Sequence, residues 1–187
     1  INAGLIDLWD DPRMCPHFHL PLQSGSDDVL KRMRRRYTAS QYSHALDAIR
    51  SRVEDVAITA DVIVGFPSET DADFEATLDL VDAVEYAQAY SFQYSPRPGT
   101  PAAMLDDQVA APVKAERLAR LQTRLNQQQD KFNATMVGQT IDVLFDRPGR
   151  HPGQMAGRSP YLQAVSAYAP ESIYGHIATV RIDACNP

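Results

Sequence analysis

The run Val56-Ala-Ile-Thr-Ala-Asp-Val-Ile-Val64 is built almost entirely of small and β-branched side chains and stops at Gly65-Phe66-Pro67. A near-continuous apolar segment of this kind suits a strand buried on both faces, as in a parallel sheet. Pro67 stops the strand, and Gly65 permits a tight turn and close approach of a ligand. Thr70, with Asp71 and Asp73 in the first turn, then opens a helix, because acidic groups complement its positive end. Phe74, Leu78, Val81 and Val84 share one face of that helix. A buried strand feeding directly into a helix is the building unit of α/β folds, so this segment sets the fold class.

The same unit recurs on either side. His17-Phe-His-Leu-Pro-Leu22 reads as a short strand, followed by the turn Gln23-Ser-Gly-Ser26 and a helix carrying Val29, Leu30 and Met33, with Ser26 as N-cap. A second helix is expected over Ala39–Val53, capped by Thr38, with Tyr42, Leu46, Ile49 and Val53 in one stripe. A third strand, Ala89–Tyr94, ends in Ser95-Pro-Arg-Pro-Gly-Thr-Pro101. Right-handed crossovers place all three polar loops at the carboxyl ends of the strands, where α/β proteins bind ligands. From Pro112 one long helix follows, with Leu118, Leu121, Leu125, Phe132 and Met136 on one face and Gly138 expected at C′. Beyond Gly138 the pattern is all-β. Ile141, Val143 and Phe145 alternate with polar or outward residues, and strands near Gly157, Tyr161–Ala167 and His176–Ile182 are separated by Pro-Gly turns, which suggests a small barrel. The expected division is 1–111 (α/β), 112–137 (connecting helix) and 138–187 (β-barrel).

With 187 residues and 44% hydrophobic content the chain can bury a sizeable core. No stretch approaches the roughly 20 apolar residues of a membrane span, and no charged-then-apolar leader opens it, so a cytoplasmic protein is expected. Cys15 and Cys185 match neither a disulfide framework nor a metal-ligand spacing and read as free thiols. Ile1 enters at once on the amphipathic run Leu5, Ile6, Leu8, which suggests a fragment. The formal charge is -6, yet it is unevenly spread. Between Val53 and Pro96 there is no Lys or Arg, and the acidic residues there are expected to form a solvated face. A basic cluster, Lys31, Arg32, Arg34, Arg35 and Arg36, stands out against that background. His17 and His19 point to one face of their strand with Cys15 in phase. Without further ligands they read as histidines of a barrel interior, not as a metal site.

Gln23-Ser-Gly-Ser26 offers an amide, two hydroxyls and a loosened backbone, groups that can hydrogen-bond an amino acid or a ribose. Alone, this tetrapeptide and Gly65-Phe66-Pro67 are each more often turns than sites. Their recurrence at equivalent strand ends favours a binding role. Taken in order, His19-Leu-Pro-Leu-Gln-Ser-Gly-Ser-Asp27, Met33-Arg-Arg-Arg-Tyr-Thr38, Asp61-Val-Ile-Val-Gly-Phe-Pro67 and Tyr94-Ser-Pro-Arg-Pro-Gly-Thr-Pro101 resemble the radical S-adenosylmethionine methylthiotransferases. The resemblance runs through Arg124-Leu-Asn-Gln-Gln128 and Gly138 into a tail similar to the TRAM domain, an RNA-binding barrel. It implies the C-terminal portion of a partial (βα) radical SAM barrel followed by a small, OB-like TRAM barrel that stops early at Asn186-Pro187. Tyr90–Thr100 and Leu125–Gln129 look most like members that methylthiolate isopentenylated adenosine beside the tRNA anticodon. Arg34–Thr38 is also similar to the relative acting on threonylcarbamoyladenosine, and a ribosomal-protein substrate stands as a further alternative.

What the resemblance implies about chemistry is specific. Such enzymes reduce S-adenosylmethionine at a 4Fe-4S cluster held by a C-x-x-x-C-x-x-C loop, with a second cluster delivering sulfur and an electron donor supplying reductant. Those thiolate ligands are not in this sequence, so the chain alone is expected to bind no cluster and to be inactive. By resemblance, Gln23, Ser24, Gly25 and Ser26 meet the amino-acid or ribose part of the cofactor. Arg35 is the candidate for its carboxylate, since a guanidinium grips a carboxylate in bidentate fashion. Gly65 and Phe66 approach the adenine. Arg147, Arg150 and Arg158 are candidates for phosphates of the tRNA anticodon stem-loop. Tyr161, Tyr168 and Tyr174 are expected to fill the barrel core, with stacking on unpaired bases as the alternative. A monomer is the expected state, and the class alternative is a non-catalytic RNA-binding protein on an inert α/β scaffold.

Overall fold

The computed structural model describes residues 3–185; the expected fragment start at Ile1 and early stop at Asn186-Pro187 lie outside them. A short helix α1 (Ala3–Ile6) and a 3-10 turn (Asp7–Asp10) lead to β1 (His17–His19), α2 (Asp27–Arg32), α3 (Ala39–Arg50), β2 (Ala57–Val64), α4 (Asp71–Val84) and β3 (Gln88–Gln93). The strands form one parallel sheet in the order β1-β2-β3. β1 is shorter than the expected 17–22 because the ladder becomes irregular toward Gln23, which sits at φ 65°. Hydrogen bonds to β2 nonetheless run past His19, with Leu20 N–H on Thr59 O, Gln23 N–H on Asp61 O and Ile63 N–H on Gln23 O. Ile58, Ala60, Val62 and Val64 point to the helices, where they meet Phe18, Leu22, Tyr42, Leu46, Ile49, Phe74, Leu78 and Val81 in one core. On the opposite face, in register, lie His17, His19, Thr59, Asp61, Tyr90 and Phe92. That face is open among the described residues, with Tyr90 54% and Phe92 51% exposed. The two histidines do share it, but they are partly solvated and both hydrogen-bond Thr59 Oγ1 at 3.0 Å.

Helix starts follow the sequence closely. Thr38 and Gln41 close a capping box on α3, and Thr70 and Asp73 close one on α4. Ser26 caps α2 by accepting from Val29 N–H, and its hydroxyl donates to Asp73 Oδ1 at 2.5 Å. One carboxylate therefore ties the N-termini of two helices. α3 ends at Arg50, three residues before the expected limit, although Val53 still packs in the core.

Helix α5 (Ala111–Thr135) begins as expected, with Pro in its first turn, and lies along α4 and β3. Leu121 and Leu125 enter the α/β core and Leu118 packs against it. Most of the acidic residues expected to form a solvated face are exposed, Glu69 being the buried exception, and the basic residues of α5 pair with several of them. Arg117 pairs with Glu69 (2.8 Å) and Asp71 (2.6 Å), Arg120 with Glu75 (2.6 Å), Arg124 with Asp82 (2.8 Å) and Lys131 with Glu85 (2.5 Å). Positions 117, 120, 124 and 131 fall on one stripe of a helix, so an acidic block and a cationic stripe far apart in sequence become partners.

The last unit comprises β4 (Thr140–Pro148), β5 (Gln154–Arg158), β6 (Ala164–Tyr168) and β7 (His176–Arg181), an antiparallel sheet in the order β6-β5-β4-β7. Among the described residues β6 and β7 each pair on one side only, so the strands make an open, curled sheet. Val143, Phe145 and Met155 are its core. Gly138 is not the C′ residue of α5, a position held by Val137; at φ 85° it starts the sheet, donating to Ile182 O. The tyrosine expectation also fails for two of three residues. Tyr168 is 75% exposed and Tyr174 is exposed as well, because the small core is already filled by aliphatic groups and Phe145; Tyr161 is half-buried, edge-on to Phe132 of α5.

Two outcomes for stability can be measured. Arg117 and Glu69 side chains are only 5% and 2% exposed, so breaking the pair from one side leaves a buried charge alone. Arg117→Met should lower unfolding free energy by about 3–5 kcal/mol in urea titrations, whereas an exposed pair such as Arg124–Asp82 should be worth under about 1 kcal/mol. For Asp73, burial alone raises the carboxyl, but hydrogen bonds from the Ser26 hydroxyl and from Thr70 N–H and hydroxyl, with Arg32 nearby, leave it below its ordinary 3.8. A depressed carboxylate stabilises above its unfolded pKa and loses that contribution as pH falls through its folded value. Asp73→Asn should therefore be destabilised at neutral pH, with the difference from the parent chain shrinking below about pH 3.8 in acid unfolding curves.

Candidate functional site

A cleft of about 650 Å³ opens at the carboxyl ends of the three strands. It is lined by Gln23 after β1, by Asp61, Ile63 and Phe66 of β2 and its loop, by Phe92 and Gln93 of β3 with Tyr94 just beyond, by Arg32 to Arg35, and by Arg97 and Thr100 to Ala102. This is where parallel strands leave room for a ligand, because each loop departs from a neighbouring strand end. The walls combine apolar area with a few polar groups that have no protein partner among the described residues.

Gln23 is the clearest of these. Its N–H and its carbonyl both hydrogen-bond β2, at Asp61 O and Ile63 N–H, yet it sits at φ 65°, a left-handed conformation rare for a residue with a side chain. Its amide faces the cleft without a protein hydrogen bond. The Tyr94 hydroxyl is buried and also unpartnered, with its ring edge-on to Phe66 at 5.0 Å. The Arg35 side chain reaches the cleft with no carboxylate beside it. Asp61 is the only carboxylate in the lining, 3.3 Å from His19 Nε2.

The neighbouring motif residues do something else. Ser24 is fully buried and meets Thr77 Oγ1 at 3.3 Å, and Gly25 N–H donates to the same hydroxyl at 2.9 Å. A Cβ on Gly25 would stand 2.5 Å from Ala76 O and 2.6 Å from Thr77 Cα. Glycine is needed there for packing on α4, and neither Ser24, Gly25 nor Ser26 lines the cleft. Gly65, at φ 74°, donates its N–H to Glu69 Oε1 at 2.8 Å, and a Cβ on it would run into the Lys114 side chain. Lys114 Nζ in turn donates to Tyr94 O at 3.2 Å. The loop after β2 is thus fixed by α5 through Lys114 and Arg117, while Phe66 is its member in the cleft. Burial pushes the Glu69 carboxyl up, against the pull of the Gly65 N–H and of Arg117.

Sequence reasoning assigned no role to Tyr94, Arg97, Asp61 or Phe92. Tyr94 and Arg97 were signalled only by their place in the third strand-end loop, and Asp61 by being the one charge in an otherwise apolar strand. On the β-rich unit, Arg147 pairs with Asp146 at 2.9 Å. Arg150 lies in the turn after β4, and Arg158 faces outward across from Leu144 and Ala164; neither has an ion pair among the described residues.

S-adenosylmethionine suits the cleft chemically, since a free guanidinium, an unpartnered amide and a buried orphan hydroxyl converge on a space walled by Phe66 and Ile63. A 4Fe-4S cluster does not suit the residues present. Cys15 and Cys185 are both exposed, and no group of three or more His, Cys, Asp or Glu comes together to hold a metal among the described residues. Among those residues, too, no helix is long and apolar enough to cross a membrane.

Residues 2–81 match the model of the radical SAM superfamily, and residues 134–187 match that of the TRAM domain. The tRNA-2-methylthio-N(6)-dimethylallyladenosine synthase of Maricaulis maris is 52% identical over 177 residues, 95% of this chain and 39% of the relative. The enzyme of the same name from Agrobacterium fabrum is 54% identical across 100% of this chain and 41% of its own length. The chain thus spans about two fifths of the curated relatives it matches. The α/β unit is thus similar to the radical SAM superfamily over residues 2–81, and the β-rich end to the TRAM domain over residues 134–187.

Proposed function

We propose that this chain is the cofactor-cleft and RNA-binding portion of a tRNA methylthiotransferase that places a methylthio group on C2 of N6-dimethylallyladenosine beside the anticodon. The observation that carries this reading is the identity of 52% and 54%, over nearly the whole chain, with two enzymes named for that product. S-adenosylmethionine, when bound, supplies the methyl group and the precursor of the radical. Within this chain, Arg35 holds the cofactor carboxylate, which a planar guanidinium matches in charge and shape. The Gln23 amide hydrogen-bonds its polar part, and Phe66, backed edge-on by Tyr94, offers a face to the adenine. Ser24, Gly25, Ser26 and Gly65 hold those groups in place by packing on α4 and α5. No step is assigned to a cluster, because the residues here do not fit one.

The TRAM unit contributes RNA affinity. Arg150 and Arg158 meet phosphates that orient but do not specify, while Arg147, already neutralised by Asp146, adds less. The exposed Tyr168 and Tyr174 suit stacking on unpaired bases. The same reading makes the cytoplasm its compartment, the anticodon stem-loop its target, an electron donor its partner and a monomer its working state.

Deleting the gene should remove 2-methylthio-N6-dimethylallyladenosine from tRNA hydrolysates and leave the unmodified N6-dimethylallyladenosine in its place, read by mass spectrometry. Loss of a methylthiolated threonylcarbamoyladenosine instead would shift the substrate, and an unchanged nucleoside profile would end this reading. In the full-length enzyme, Arg35→Ala should weaken S-adenosylmethionine binding by about tenfold to a hundredfold, the worth of a charge-assisted hydrogen bond. An unchanged dissociation constant removes Arg35 from that role.

A further inference from the structure

The arginines of the α/β unit fall into two groups. Arg13 and Arg52 pair with nearby aspartates, Arg117, Arg120 and Arg124 with the acidic block, and Arg32 and Arg50 donate to backbone carbonyls. Among the described residues, Arg34, Arg35, Arg36 and Arg97 have no ion pair and no side-chain hydrogen bond. In a chain with 24 acidic residues and a net charge of -6, free guanidinium groups are not a matter of scarce partners. These four belong to the two loops at one mouth of the cleft, where Arg34, Arg35 and Arg97 line the wall.

The loop that carries three of them is held rigid. Arg34 N–H donates to Lys31 O and Arg35 N–H to Leu30 O, and the Tyr37 hydroxyl reaches the carbonyls of Pro21 and Leu22 at 2.9 and 3.1 Å. Arg34 itself sits at φ 57°, a left-handed conformation that costs a residue with a side chain energy and persists only where its surroundings enforce it. The cofactor proposed above brings one carboxylate, which Arg35 satisfies, so three guanidinium groups remain. Beside them Phe92 lines the same cleft with about half its surface exposed, and Tyr90 lies on the same sheet face. Cationic groups flanking open aromatic rings are the chemistry of single-stranded nucleic-acid binding, in which phosphates meet Arg and bases stack on rings.

We propose that Arg34, Arg36 and Arg97 form a second RNA-binding site, separate from the TRAM domain, which grips phosphates flanking the nucleotide presented to the cleft, with Phe92 available to an unstacked base. This rests on the tRNA reading above. It assigns the cleft mouth the task of delivering a base, and the TRAM sheet that of holding the remainder of the RNA.

The test uses the full 187-residue chain and a short RNA hairpin with an adenosine-containing loop, with binding followed by fluorescence anisotropy between about 50 and 200 mM salt. Arg34→Gln/Arg36→Gln/Arg97→Gln should bind at least about tenfold more weakly and should show a shallower dependence of log K on log salt, by about 0.7 for each phosphate no longer neutralised. Arg150→Gln/Arg158→Gln should weaken binding independently, so the two sets combined should bind more weakly than either. If the parent chain binds the hairpin and only the TRAM variant is impaired, the cleft-mouth site is overturned and the tRNA reading stands. If the parent chain binds no RNA, both fall. Preference of the cleft mouth for an acidic peptide over the hairpin would likewise overturn it. Should the triple variant melt at a lower temperature, Arg97→Gln and Arg36→Gln, both exposed single changes, carry the same comparison with a smaller expected effect.

Discussion

The Arg117 guanidinium is the joint on which the cleft depends. Nearly all of it is out of water, so its charge must be met on the spot. Glu69 meets it, and the same Oε1 accepts the N–H of Gly65, whose left-handed backbone turns the chain away from β2. Arg117 also donates to Glu69 O and to Asp71 at the start of α4, and lies 5.6 Å over the Phe74 ring. Moving the loop would unpair a buried carboxylate and a buried cation together. The conformation of Gly65-Phe66-Pro67 is thus set by a residue of α5, nearly fifty positions later in the chain.

That dependence gives α5 two roles. Its first half is a layer of the α/β core, through Leu121 and Leu125, and its cations neutralise the acidic side of α4. Its last turns belong to the TRAM unit. Asn133 accepts from Gln163 Nε2 at 2.6 Å and, through its carbonyl, from Cys185, while Phe132 meets Tyr161. At 1.5 Å rise per residue a 25-residue helix runs about 37 Å, so one continuous element carries the loop clamp at one end and packs on the β-rich sheet at the other. No hinge of Gly or Pro interrupts it after its first turn.

How much of this could be read from sequence depended on the range of the interaction. Local signals transferred well. Thr38 and Thr70 cap where their hydroxyl can reach the third N–H, and Val56–Val64 is a central strand because its side chains suit burial on a parallel sheet. Long-range partners did not transfer. The ion pairs of acidic residues 69 to 85, and the burial of Glu69, were not legible because the cations that meet them lie beyond residue 110. Tyr168 and Tyr174 looked like core because a short β pattern does not reveal that Val143, Phe145 and Met155 already fill so small an interior. Gly138 looked like a helix stop for a related reason: a positive φ serves a C′ cap and a strand entry equally, and only the partner, Ile182 O, separates them.

The cleft itself shows the same division between what holds and what faces a ligand. In Gln23-Ser-Gly-Ser26 the hydroxyls that looked most like ligand donors are turned to Thr77 and Asp73, and the glycine makes room for α4. Gln23 is the exception: a buried residue with a left-handed backbone and a polar side chain without a protein partner among the described residues. Arg34, also in the lining, breaks the same local rule. Strain is retained where the surroundings enforce it. At Gln23 the anchored hydroxyls of Ser24 and Ser26 and two strand hydrogen bonds enforce it, while α2 and Tyr37 do so around Arg34. The serines and glycine that resemble a binding motif therefore act one step back, holding the strained Gln23 whose side chain stands in the cleft.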